Sequence, residues 1–244
     1  MNKIIIKHII EIKLFKRMFS FSNFHGELTD FFIKNLGVDK IRSVVDGSRI
    51  DVATNDLKKV FFASYENFGL QIEGANSFDE PVSEVNRFLE SLKSFGKYEF
   101  DSVNRIGTKS LVFCHIKGKN LDDIKEIYRK NIFINQKIME EKINAELYDF
   151  AYSFDIKNEH GIANIQTGPA TKEEAIKKFF GGNNCYEEFS KGSGLFFSID
   201  FGKNEKKDNM LMDSLKEEVA DSFENIEKIF NGFLNYFEIN EDGK

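Results

Sequence analysis

The stretch KIIIKHIIEIKL, residues 3–14, decides how the rest of the chain is read. Ile4, Ile6, His8, Ile10, Ile12 and Leu14 fall on one side of an extended chain, and Lys7, Glu11 and Lys13 on the other. Alternation over this length requires a strand that is buried on one face only. Such a strand belongs to an antiparallel sheet with helices on one side and water on the other. The same N-terminal stretch is too broken by charge to serve as a signal-peptide core or a membrane span, so a cytoplasmic protein with no membrane contact is expected.

Outward from this strand, Phe24, Leu28, Phe31, Phe32 and Leu36 recur at helical spacing before Gly37, a C-cap residue. Short strands are expected at about 48–53, 57–63 and 67–73, with turn residues between them. A second helix opens near Asp79, where Pro81 suits the first turn, and carries Val82, Val85, Phe88, Leu89 and Leu92 on one face.

The programme then begins again. A long strand is expected from about 100 to 117, closed by Gly118, and Asn120 can cap a helix bearing Leu121, Ile124, Ile127 and Tyr128. Strands are expected at about 145–156 and 160–168, with Tyr148, Tyr152 and Phe154 filling the core under a helix. Thr171 and Glu174 form a capping-box pattern. Residues 181–194 read as a loop, Leu195, Phe197, Ile199 and Phe201 as a strand, and about 209–237 as a long amphipathic helix.

The expected fold is therefore α+β: two similar lobes, 1–97 and 98–244, each a mainly antiparallel sheet with helices packed on one face, tightly joined. The 244 residues, 41% apolar and 30% charged, suffice for a core without metal or disulfide staples. The 27 phenylalanines, with abundant Asn, Lys and Ile, point to AT-rich coding in a bacterium or phage. A net charge of −6 argues against broad nucleic-acid binding. Cys114 and Cys185 are expected to be reduced and buried.

No catalytic signature is legible. The histidines at 8, 25, 115 and 160 make no paired metal-ligand motif, Cys114 and His115 point to opposite faces of a strand, and the glycines at 181–182 and 192–194 lack a phosphate-loop context. No catalytic residue, metal ligand or cofactor is assigned. The best enzyme alternative is a metal-dependent nuclease using Glu11, Asp149 and Asp155, set against the plainer account of solvated strand faces carrying Glu11-Ile12-Lys13 and Asp155-Ile156-Lys157. A reader of single-stranded nucleic acid on an open sheet is a third alternative. The candidate binding spot is the 103–115 strand, where Arg105, Gly107 and Lys109 share a face that continues to His115. These residues serve either an ion-pair network joining the lobes or the binding of an anion or partner.

The run VNRIGTKSLVF, residues 103–113, resembles a strand motif of a sporadically distributed family of uncharacterised bacterial proteins of about this length. In that family the motif is Arg, an aliphatic residue, Gly, any residue, then Arg and Tyr. The opening IIEIKL and the closing IEKIFNGFLNYF are similar to the family's ends. Lys109 stands where the family usually has Arg, and Ser110 where an aromatic is common; a point charge replaces a planar two-pronged donor. Together with the lack of a catalytic signature, the resemblance implies a non-catalytic interaction component, an accessory subunit or inhibitor in a bacterial antiviral-defence or toxin-control system. Its partner would be another protein subunit, with homo-oligomerisation left open.

Overall fold

The alternating N-terminal stretch is strand β1 (Lys3–Leu14) in the computed structural model, which describes residues 3–45, 47–75, 77–99, 102–132, 136–180, 192–203, 211–237 and 239. It is followed by α1 (Phe21–Asn35), β2 (Lys40–Val45), β3 (Arg49–Ala53), β4 (Lys59–Ser64), β5 (Asn67–Ala75) and α2 (Glu80–Phe95). The second half runs β6 (Val103–His115), α3 (Leu121–Ile132), α4 (Gln136–Ile143), β7 (Tyr152–Asn158), β8 (Gly161–Thr171), α5 (Lys172–Phe179), β9 (Ser193–Lys203) and α6 (Met212–Tyr236).

The nine described strands form one antiparallel sheet in the order β2-β3-β4-β5-β1-β6-β9-β8-β7. Strands of the two halves thus share a sheet, and the seam is the long pairing of β1 with β6, from Lys3 opposite His115 to Leu14 opposite Val103. Hydrophobic period shows which side of a strand is buried, but not which strand lies beside it.

One face of the sheet carries the main core. Ile10 of β1 stands between Leu70 of β5 and Thr108 of β6, and this row faces the helices. Phe21, Phe24, Leu28 and Phe32 of α1, Val85, Phe88 and Leu92 of α2, Tyr128 of α3 and Val219, Phe223 and Phe230 of α6 cover it. On the opposite face only α5 forms a second apolar cluster, in which Ala175 and Phe180 meet Leu111 and Phe113 of β6 and Phe196 of β9. Among the described residues no other helix covers that face.

Local signals hold where they are stereochemical. Thr171 caps α5, its hydroxyl accepting from the Glu174 amide while Glu174 accepts from the Thr171 amide. Asn120 and Asp123 make the same reciprocal exchange at α3. The structure departs from the sequence reading in three places: β2 and α4 are additional elements, and 145–151 is not strand, the carbonyls of Leu147 and Tyr148 being taken by Arg129 and Lys125 of α3. The amides of Ala145 and Leu147 turn back to Glu140 as well, so the segment's polar groups are satisfied outside a ladder. Among the described residues no helix is long and apolar enough to cross a membrane.

Candidate functional site

Alternation along β6 places Arg105, Gly107, Lys109, Leu111, Phe113 and His115 on the face opposite the helices. Arg105 and Lys109 lie on its open part. Leu111 and Phe113 pass beneath α5, and His115 emerges beyond, beside Gly192. Ten residues of strand separate Arg105 from His115, roughly 34 Å. The four candidates are therefore not one spot; at most the first three are.

Gly107 and Gly202 are directly opposite one another on β6 and β9. What lies close to this pair is Arg105 itself: a Cβ built on Gly202 would come within 3.3 Å of its Nη2, and one on Gly107 within 3.7 Å of its Nε. The glycines leave room for the guanidinium to lie flat on the sheet, where it meets Asp200 at 3.7 Å. Arg105 and Asp200 both belong to the second half, so this pair does not join the halves. Lys109 stands between Ile9 of β1 and Asp200 of β9. Asp200 meets one end of the guanidinium, while the buried Arg105 Nε has no hydrogen-bond partner among the described residues.

The nuclease carboxylates do not meet. Glu11, near the middle of the open face, accepts from Asn67 Nδ2 at 2.6 Å. Asp155 on β7 accepts from Asn164 Nδ2 at 2.8 Å. Three strands separate β1 from β7, so about 19 Å lies between those positions. Asp149 accepts from the neighbouring Phe150 amide in the segment strapped to α3. Among the described residues no group of three or more His, Cys, Asp or Glu side chains is arranged to hold a metal ion. Cys185, the Gly181–Gly182 stretch and Lys191 lie outside the described residues.

His8 is fully buried where β1, β6 and α6 meet, edge-on to Phe78 and Phe223. The Ser77 carbonyl, 3.1 Å from Nε2, can only accept, so the proton resides on Nε2. Nδ1 then accepts from the Ser110 hydroxyl at 2.8 Å. Burial pushes the imidazole pKa down to about 4, and the ring is a neutral, fully bonded core group.

Between α2 and α6 runs a cleft of about 690 Å³ lined by Asp79, Glu217, Asp221, Glu224 and Glu227. Its sharpest electrostatic feature is at one rim. Lys203 Nζ donates to Glu218 at 2.7 Å and to Asp221 at 2.6 Å. Burial disfavours the Asp221 charge, but Lys203 outweighs it and holds the carboxyl below its ordinary range. This is a cross-element clamp between the end of β9 and α6.

Among the described residues uncovered apolar side chains occur at Phe15, Phe19, Ile41 and Leu211, and as a denser set at the far side of the second half. Helix α4 exposes Ile138 (53%), Met139 and Ile143 (57%). Asn144, in a left-handed conformation, ends the helix, and Tyr148 beyond it is 82% exposed. Its position is built: Lys125 Nζ donates to its carbonyl at 3.0 Å and sits 4.7 Å from its ring centre. Next to this, Phe154 and Ile156 of edge strand β7 and Ile229, Gly232, Phe233 and Tyr236 of α6 line an apolar groove of about 350 Å³. Sequence reasoning assigned Tyr148 and Tyr152 to the core; both are exposed. It missed α4 because Ile138, Met139 and Ile143 do not make a wide stripe at helical spacing.

No family model and no curated protein matches the chain.

Proposed function

We propose that the protein is a non-catalytic interaction component whose contact surface for another protein is formed by α4 and the segment that follows it. The observation carrying this is α4 itself. Eight residues are too few for a helix to be stable alone in water, and helices in proteins normally gain their stability by packing an apolar face. Helix α4 has an apolar set, and every residue from 137 to 143 is exposed or half-exposed. A partner covering Ile138, Met139, Ile143 and Tyr148 supplies the missing packing, and Tyr148 is the type of residue that anchors such contacts.

The two-lobe arrangement belongs to the same reading. It is supported by the strand order: β1 and β6 meet at the seam, β5 and β9 flank them, and α2 and α6 each follow the last strand of their half. An accessory subunit or inhibitor within a bacterial defence or toxin-control system, the role implied by the family resemblance, fits a rigid scaffold of this kind.

The test is purification of the tagged protein from its host, beside an Ile138→Glu/Met139→Glu/Ile143→Glu variant, followed by native mass spectrometry. The wild type is expected to bring down a stoichiometric protein that the variant loses at unchanged melting temperature. Wild type isolated alone, or a partner retained by the variant, contradicts the proposal.

A further inference from the structure

We infer that edge strand β7 is a self-pairing edge, joining two copies of the chain into one continuous sheet about a two-fold axis at Ile156. This surface is distinct from α4 and does not depend on the function proposed above.

Edge strands present unpaired backbone groups, and proteins usually blunt them with cover or with charges pointing the wrong way for pairing. Among the described residues no element pairs with the outer edge of β7, and the charges it carries, on Asp155 and Lys157, are of opposite sign and so bar pairing only in some registers. Its Asp155 and Lys157 stand exposed on the open face, and Phe154 and Ile156 face the groove against α6. The strand has one sheet neighbour, β8, with Ile156 opposite Ala163.

The order of charges selects the partner. Antiparallel pairing of β7 with a second β7 about Ile156 puts Asp155 opposite the second copy's Lys157, and Lys157 opposite its Asp155. A two-fold axis at Asp155 would set two carboxylates against each other, which is destabilising. Because the interface is isologous, each favourable pair occurs twice. The axis is perpendicular to the sheet, so the helix-covered faces stay on the same side. The two grooves lined by Phe154, Ile156, Ile229 and Phe233 then run together across the junction.

Gly232 fits the same contact. It is exposed in the interior of α6, where glycine costs about 1 kcal/mol relative to alanine, and a Cβ there would meet nothing within 4 Å. The monomer gives no steric reason for glycine at this position. A second copy does: the notch beside Phe233 and Tyr236 lets the facing helix approach.

The experiment is sedimentation velocity of the full chain over a range of concentrations, with four variants. Wild type is expected at twice the 28.2 kDa chain mass. Asp155→Lys and Lys157→Asp each create two like-charge pairs per dimer and are expected to weaken association roughly tenfold or more. The double variant Asp155→Lys/Lys157→Asp restores the pairs and the dimer. Gly232→Arg fills the notch, expected to give a monomer whose melting temperature is not lowered. A wild type monomeric at every concentration overturns the inference, as does a dimer unmoved by single reversals or not restored by the double one. Loss of a foreign partner by the α4 variant is read separately, so failure here leaves that reading standing, and the reverse.

Discussion

The two flanks of the sheet are finished differently. On the first-half side, α1 and α2 close over β3, β4 and β5 with interlocked rings: Phe88 packs against Phe32, Phe61 and Phe68. Even the open face is covered there, where Arg49 lies 4.3 Å from the Phe62 ring centre. The second-half side ends in β7 and α4, with Ile138, Ile143, Tyr148 and Tyr236 exposed. The first half also exposes Phe15, Phe19 and Ile41. The second, however, gathers its exposed apolar side chains on α4, at Tyr148 and along the groove between β7 and α6, and grouped apolar surface marks places where something docks. The difference separates surface used for folding from surface kept for contact.

That contrast can be broken most forcefully in the core of the first half. Phe88→Ala removes a ring packed on three others and is expected to cost about 3–5 kcal/mol in urea unfolding. A cost near zero would mean the first flank is not the rigid one. The next largest effect is expected at the seam. The His8 pKa is about 4 when folded, below its ordinary 6.5, so between those values the unfolded chain binds a proton that the folded chain excludes. Stability is therefore complete above pH 6.5 and falls as pH drops towards 4, by about 3 kcal/mol over the whole window. Urea titrations at pH 7 and pH 5 should show the loss, and a His8→Gln variant should lack that component of it.

Two glycines sharpen the comparison further. A Cβ on Gly69 would sit 1.9 Å from the Ile10 carbonyl oxygen, so Gly69→Ala forces backbone apart and is expected to cost about 1–3 kcal/mol. A Cβ on Gly107 meets nothing nearer than 3.6 Å, and Gly107→Ala is expected to stay within about 0.5 kcal/mol. Equal costs would show that Gly107 is held by more than the arginine above it. The smallest effect is expected on α4, where Ile138→Ala should change the unfolding free energy by less than about 0.5 kcal/mol, because more than half of that residue is exposed and no core cluster includes it.

What could be read from the residues follows the same division. Long alternating stretches such as 3–14 and 103–115 declare their buried face, and caps such as Thr171–Glu174 declare a helix start, because both depend on local stereochemistry. That the two halves share one sheet depends on which backbone edges meet, information that no short segment carries. Strand β2 is only six residues long. Residues 145–151 look like strand until the α3 cations that hold their carbonyls are in place. Arg105, Gly107 and Lys109 were recognised as unusual, but only the register of β6 against β9 shows that Arg105 occupies the glycine gap itself. The exposed set at 138–148 drew no attention because apolar side chains without a clear period look the same in a sequence whether they are covered or bare.

The most direct measurement of the difference between the flanks is hydrogen–deuterium exchange on the protein as isolated from its host, compared with the chain purified alone. The account predicts added protection concentrated in peptides from 136–148, with 49–75 and 80–95 unchanged. Protection gained instead on the first-half strands, or around Arg105 and Lys109 on the open face, would contradict it.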